Sequence, residues 1–233
     1  MKRSWGGGDS EGSLRTKHSA ISVTLINFII VCKEMSDIVS EKGIEKINAC
    51  SKLVLRKRGE AAVEFYNDAH RLYVLHFIEV ADIGGHRVMY IMTRLADGQR
   101  GGAADKEVGR MIVTVILQYL EEHPDDLVCF SHHDNCLSNA INRIYHVWAD
   151  ANKDLYDGQY SYFDGVGHDA DNRGLHFMVM HHLACQDIAE LKAFILENSD
   201  DFAVIVREQI LLLHDIEKKQ HQIGDSVHRI SKM

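Results

Sequence analysis

Residues 51–198 of this 233-residue chain predict an α+β fold: a mainly antiparallel sheet with helices packed on one side, followed by a long C-terminal helix. Three observations carry that expectation. Apolar runs rich in β-branched and aromatic residues occur in clusters, three of them before the first clear helical pattern. The connections inside a cluster are short, which favours antiparallel pairing. The helical stretches repeat their apolar residues at spacings of three and four, the mark of a stripe that covers a sheet face.

Along the chain, residues 1–50 read as an N-terminal extension, partly disordered, 51–198 as the core domain, and 199–233 as a C-terminal helix with a tail frayed after Gly224. The extension contains the apolar run ISVTLINFIIVC at 21–32, preceded by Lys2, Arg3, Arg15 and Lys17. A basic start before an apolar run has the outline of an export signal. Lys33 and Glu34 close it without a small-residue cleavage site, and twelve residues are too few to span a bilayer comfortably. A packed strand or helix is the expectation, with Met35 as an alternative start that would make residues 1–34 upstream sequence.

Strands are predicted over 61–68, 71–80 and 86–95, bounded by Asn67-Asp68 and Gly84-Gly85. The glycine-rich GQRGGAAD at 98–105 ends on Asp105, a helix cap, and Val108, Met111, Ile112, Val115 and Tyr119 form the stripe of a helix to about 121. A glycine-rich loop ahead of a helix suggests a phosphate cradle, but neither GxxxxGK[ST] nor GxGxxG is present. A short strand, 126–131, precedes a helix over 136–150 with Leu137, Ile141, Ile144 and Trp148 on one stripe. Strands at 159–163 and 175–181 flank a Gly/Asp loop, and Asp187 with Glu190 reads as a capping box. The last helix, 199–222, carries Phe202, Ile205, Leu212 and Ile216 on a seam suited to packing on the domain, on a protein partner or on a second copy in a homo-oligomer.

Charge narrows the function classes. The total of −8 divides into +4 over residues 1–60, −11 over 61–198 and −1 over 199–233. An acidic core without a basic face argues against nucleic acid, whose phosphates need neutralising. Cys32, Cys50, Cys129, Cys136 and Cys185 are an odd, widely spaced set without CxxC, which points to reduced thiols in a cytoplasm and not to a disulfide framework. A membrane location is likewise not expected.

The meander over 61–95, the helix ADKEVGRMIVTVILQYL, the strand DLVCFS, the helix segment NRIYHVW with Arg143, Tyr145 and Trp148, and a closing hairpin and helix form one series. Over about 61–195 this series resembles a small bacterial domain family of uncharacterised function. The resemblance implies the architecture alone. Family members place an Asp after the strand cysteine and arginines early in the next helix; here Phe130 follows Cys129, and residues 137–142 contain no arginine.

The segment CFSHHDNC, 129–136, is the densest group of metal-type ligands. Cys129, His132, His133 and Cys136 could join His181, His182 and Cys185 of HHLAC in a zinc shell if the two strand ends meet. The plainer reading makes Cys129 a small core residue and the following residues a polar turn capped by Asp134 or Asn135. His133, Asn142 and His146 are too closely spaced for a His–Asn–His nuclease. Asp164, Asp169 and Asp171 lack the order of a calcium loop. No GxSxG elbow is present. Arg143 faces away from the stripe of its helix, as a salt-bridge or recognition residue.

These observations favour a non-enzymatic binding or regulatory module, without catalytic residues or cofactor, that self-associates or docks through its C-terminal helix. The alternative is a zinc-dependent hydrolase using the His/Cys clusters, with Asp134 as base or ligand.

Overall fold

A computed structural model of the chain describes residues 38–96, 105–133, 147, 150–156, 158–168 and 171–212. In chain order the elements are α1 (Glu41–Cys50), β1 (Leu55–Lys57), β2 (Ala62–Tyr66), β3 (Leu72–Ile83), β4 (His86–Leu95), α2 (Lys106–Glu122), β5 (Leu127–His133), the short α3 (Lys153–Tyr156), β6 (Tyr160–His168), β7 (Gly174–His182) and α4 (Ile188–Glu197). A further helix, α5, covers 199–212. The helix expected over 136–150 falls outside the described residues except at 147 and 150, which are helical. The expected segment at 21–32 and the tail beyond 212 also fall outside them. No described helix is long and apolar enough to cross a membrane.

The seven strands form one sheet in the order β1-β2-β3-β4-β5-β7-β6. Every neighbouring pair is antiparallel except β4 and β5, which α2 joins as a crossover. The α+β class holds. The single-sided arrangement does not: helices cover both faces. On one face α1 and α2 pack Ile44, Ile47, Met111, Ile112 and Leu120 against Phe65, Leu75, Met89 and Val128. On the other, α4 and α5 pack Leu191, Ile195, Phe202 and Val206 against Cys129, Leu175, Phe177 and Val179. The physical reason lies in the central strands. Val88 to Met92, Leu127 to Phe130 and Phe177 to Met180 are apolar at both alternations and buried on both sides, which a strand with one wet face cannot be.

Helix α1 brings residues before 51 into the domain. Ile38, Val39, Ile44 and Ile47 are buried, and full burial of such a side chain contributes about 1.5–3 kcal/mol. Ser40 caps the helix by accepting from the Gly43 amide at 3.0 Å, and its own amide and hydroxyl donate to the Glu122 carboxylate, each at 2.8 Å. The start of α1 is thereby tied to the end of α2. Asp105 caps α2 as the sequence predicts, accepting from the amides of Glu107 and Val108.

The second helical layer departs from expectation in two places. Asp187 stands in the capping position of α4 with left-handed backbone (φ 56°) and makes no side-chain cap bond, so the capping box is not formed. The Gly/Asp segment is only partly a loop, since β6 continues through His168. Its glycines are there for close approach: a Cβ on Gly165 would meet the Phe177 ring at 2.2 Å, and one on Gly167 would meet the Ser199 carbonyl oxygen at 1.9 Å. The hairpin then holds α5 from its far end. Asp171 accepts from Arg207 at 3.0 Å and from Arg173 at 2.5 Å, and Asp200 accepts from the His168 amide at 2.8 Å. Asp171 thus belongs to an ion pair, Asp164 lies on exposed strand, and Asp169 is outside the described residues.

Because the obstacle at Gly167 is backbone, α5 would have to lift for any side chain to fit. Gly167→Ala is expected to cost at least about 1–3 kcal/mol in urea unfolding and to increase proteolysis within 199–212. A variant as stable as the parent would show that α5 is not seated there.

Candidate functional site

The parallel junction of β4 and β5 is where the sheet departs from its simple meander. Its ladder has three rungs, Val88 with Leu127, Met89 with Val128 and Tyr90 with Cys129. Beyond them β4 continues through Leu95 and β5 through His133, with no further rung between them among the described residues. Pairing between the two strands is thus confined to their N-terminal ends. At about 3.3 Å per residue, the length of β4 beyond the last rung is on the order of 15 Å.

The closed end is polar and tightly tied. Arg87 donates to both carboxylate oxygens of Asp126, through Nε at 3.2 Å and Nη2 at 2.6 Å, and Tyr119 donates its hydroxyl to the same carboxylate. Asp126 is buried, so this pairing offsets the desolvation of its charge. Burial first, and then the bond to Asp126, pushes the Tyr119 phenol well above the ordinary range. Arg87 is held further in its charged form by Asp126, against an opposing effect of burial.

Beside this tie three dissimilar ligand atoms meet. His86 opens β4, Asp125 lies in the turn between α2 and β5, and Cys185 lies in the turn between β7 and α4; one ligand atom from each falls within 4.8 Å of the others. Cys185 Sγ is 4.0 Å from His86 Nδ1 and 3.8 Å from the Asp125 carbonyl oxygen, which lies 2.8 Å from that same Nδ1. Burial, then the charges of Asp125, Asp126 and Asp187, pushes the Cys185 thiol up to about 11. Left to itself it is a protonated thiol and a poor nucleophile.

The open end has the opposite electrostatic character. Met92 pairs with His76 and Arg94 with Val74, which puts His76, Arg94 and Tyr90 on one sheet face. His76 is shifted below the usual imidazole range by burial and then by the charges of Arg94 and Arg58. Burial pushes the Tyr90 phenol up to about 12, with neighbouring Ser131 pulling the other way. The Ser131 hydroxyl is buried and, apart from the Tyr90 phenol, has no hydrogen-bond partner among the described residues. A buried hydroxyl with spare bonding capacity two positions past the last rung marks a place for a polar ligand atom.

The register also locates the residues singled out by sequence. β5 and β7 are neighbours, but antiparallel: Leu127 faces His181, Cys129 faces Val179 and His132 faces His176. His132 and His133 therefore lie at one end of the strand pair, and His181, His182 and Cys185 at the other, five steps or about 17 Å apart along the strand. Among the described residues the register thus holds the strand ends of CFSHHDNC and HHLAC apart. Cys129 is fully buried with its thiol pushed up by desolvation. His181 is buried and bonds the His182 carbonyl, while His182 accepts from the Ala184 amide at 2.9 Å. Cys136 and Arg143 are outside the described residues, as is Ile216. Of the C-terminal seam, Phe202 is in the core with its ring against Phe177 at 4.9 Å, Ile205 is half-buried and Leu212 is exposed.

His86, Asp125 and Ser131 are the site residues that sequence reasoning missed. The first two carry no local motif, being 39 residues apart, with Cys185 99 residues beyond His86. Ser131 closes the strand predicted over 126–131, and β5 continues past it through His133. The chain matches no protein-family model, no curated protein and no solved structure.

If Ser131 Oγ is unsatisfied in the free protein, Ser131→Ala removes a desolvated group at no cost in bonds. Chemical unfolding should find the variant equal in stability or up to about 1 kcal/mol more stable. A clear loss would mean the hydroxyl is bonded.

Proposed function

We propose that the chain is a binding module for an extended, amide-bearing arm with an anionic head, of the phosphopantetheine type carried by acyl-group cofactors, taken up between the parting halves of β4 and β5. The observation that supports this reading is the three-rung ladder between two strands that both continue beyond it. Strand edges that separate leave backbone donors and acceptors facing a gap, and a ligand that satisfies them must be long, narrow and rich in amides. The gap closes at Tyr90 and Cys129, so the ligand enters with a free end first. An acyl thioester at that end would lie beside Ser131 and Tyr90.

The head group would sit at the end of β4 that carries Arg94. The first-turn amides of α2 are already engaged by Asp105, so the cations of the open face, Arg94 above all, would hold the anion. Crevices at the carboxyl ends of parallel strands are the common ligand position in sheets with crossovers.

Calorimetric titration of the full chain with coenzyme A tests this directly. The expected result is one site per chain, a raised melting temperature, weaker binding of adenosine 3′,5′-bisphosphate lacking the arm, and several-fold loss of affinity in Ser131→Ala. Binding of the bisphosphate as tight as that of coenzyme A would remove the arm from the reading. Absence of coenzyme A binding at millimolar concentration, or capture of an unstructured peptide in its place, would overturn it.

A second reading, docking of a partner or second copy on the C-terminal helix, is favoured by adjacent exposed Leu211 and Leu212. Light scattering should find a dimer in the parent and a monomer in Leu212→Glu; a monomeric parent sinks the self-association.

A further inference from the structure

We propose that His86, Asp125 and Cys185 form a zinc-binding site at the closed end of the β4–β5 junction, independent of the ligand cleft at the other end. Three features of the geometry support it. The donors come from three different elements, β4, the α2–β5 turn and the β7–α4 turn, and are brought within 4.8 Å of one another by the sheet, not by their own loops. Their chemistry, one imidazole, one thiol and one carboxylate, is the mixed borderline set that zinc prefers over magnesium or calcium, which take oxygen ligands. The spacing also fits: a tetrahedral ion with bonds of about 2.3 Å to sulfur and 2.0–2.1 Å to nitrogen separates those two atoms by about 3.5 Å, against 4.0 Å for Cys185 Sγ and His86 Nδ1.

The hydrogen bonding has the form of a site whose cation is replaced by protons. Cys185 Sγ and His86 Nδ1 both address the Asp125 carbonyl oxygen, at 3.8 and 2.8 Å. One cation in place of those two protons would face nitrogen, sulfur and the Asp125 oxygens together, once the ligand atoms, now within 4.8 Å of one another, draw in and Asp125 Oδ1 leaves the Gln186 amide at 3.3 Å. Cys185 is buried while His86 is half-exposed and Asp125 exposed, so the ion would have a protein wall behind it and an open position towards water. Arg87 lies on the neighbouring strand position, but its charge is neutralised by Asp126.

The alternative for each residue is structural: Cys185 as a core thiol, His86 as a cap on the turn. The experiment separates the two. Full chain purified without an affinity tag and stripped with chelator is titrated with zinc against a chromogenic competitor, and separately with cobalt(II), whose thiolate charge-transfer absorption reports a sulfur ligand. One equivalent of zinc, a cobalt–thiolate band and a raised melting temperature are expected. Since losing even an outer partner of a metal ligand costs about 10–100-fold in affinity, Cys185→Ser and His86→Gln should each lose at least that much, with Cys185→Ser also abolishing the band. Far-ultraviolet circular dichroism checks that both variants fold, and His86→Gln at the surface keeps the test open if the buried thiol proves necessary for folding. Zinc binding that survives both substitutions, or cobalt binding without a thiolate band, would overturn the site; so would the absence of a stoichiometric equivalent. Coenzyme A binding unaffected by either variant would leave the cleft reading standing apart from this one.

Discussion

The Arg87–Asp126–Tyr119 tie sets the frame in which everything else is arranged. It joins the start of β4, the entry to β5 and the last turn of α2 through one buried carboxylate. Removing either partner would leave that charge uncompensated in a desolvated position, a loss on the order of 3–5 kcal/mol in comparable pairs. Parallel strands have no tight turn to fix their register, so the crossover must be anchored in some other way. Here the anchor is at one end only. That is why the ladder begins in register at Val88 and Leu127 and can end three rungs later without the domain coming apart.

Two-sided burial limits what the parting can do. The central strands carry apolar side chains towards α1 and α2 on one face and towards α4 and α5 on the other. Neither strand can rotate out of the sheet without exposing a core, so the loss of pairing beyond Tyr90 and Cys129 leaves both strands in the plane of the sheet. The two helical layers are held differently. α1 is fixed by Ser40 and Glu122 and by buried isoleucines, whereas α5 depends on the absence of a side chain at Gly167 and on exposed ion pairs, which are individually weak. Local opening is therefore expected to start at α5.

Much of the sheet was legible because its strands are long and β-branched: β3, β4 and β7 begin within a residue of the sequence reading, and the cap of α2 is Asp105 as expected. The second face was also written in the chain, in the unbroken apolar runs of β5 and β7, but such runs do not say which helices cover them. Three features were illegible for separate physical reasons. Three-residue β1 is too short for a period to appear. Gly165 and Gly167 have loop composition, and only the position of Phe177 and Ser199 shows that they are strand residues cleared for contact. His86, Asp125 and Cys185 converge through strand order alone, and a β7 inserted between β5 and β6 cannot be deduced from spacing. The same insertion separates the two His/Cys clusters, because it makes β7 run opposite to β5.

Net charge is a poor guide to this molecule because its charges are segregated along β4. The closed end gathers Asp125, Asp126 and Asp187 near the Cys185 thiol, and burial first and then these charges hold it protonated. Six to eight residues further along the strand, His76 responds to Arg94 and Arg58 in the opposite sense, as a group already surrounded by positive charge. A balance of −11 over residues 61–198 averages these two environments away. It still argues against a nucleic acid, which needs a continuous basic surface, but not against a single anionic head group met by two or three cations in a partly desolvated crevice, where each interaction is stronger than at an open surface. Opposite charge at opposite ends of one strand would also keep two ligands of unlike sign, as proposed above, from competing for the same place.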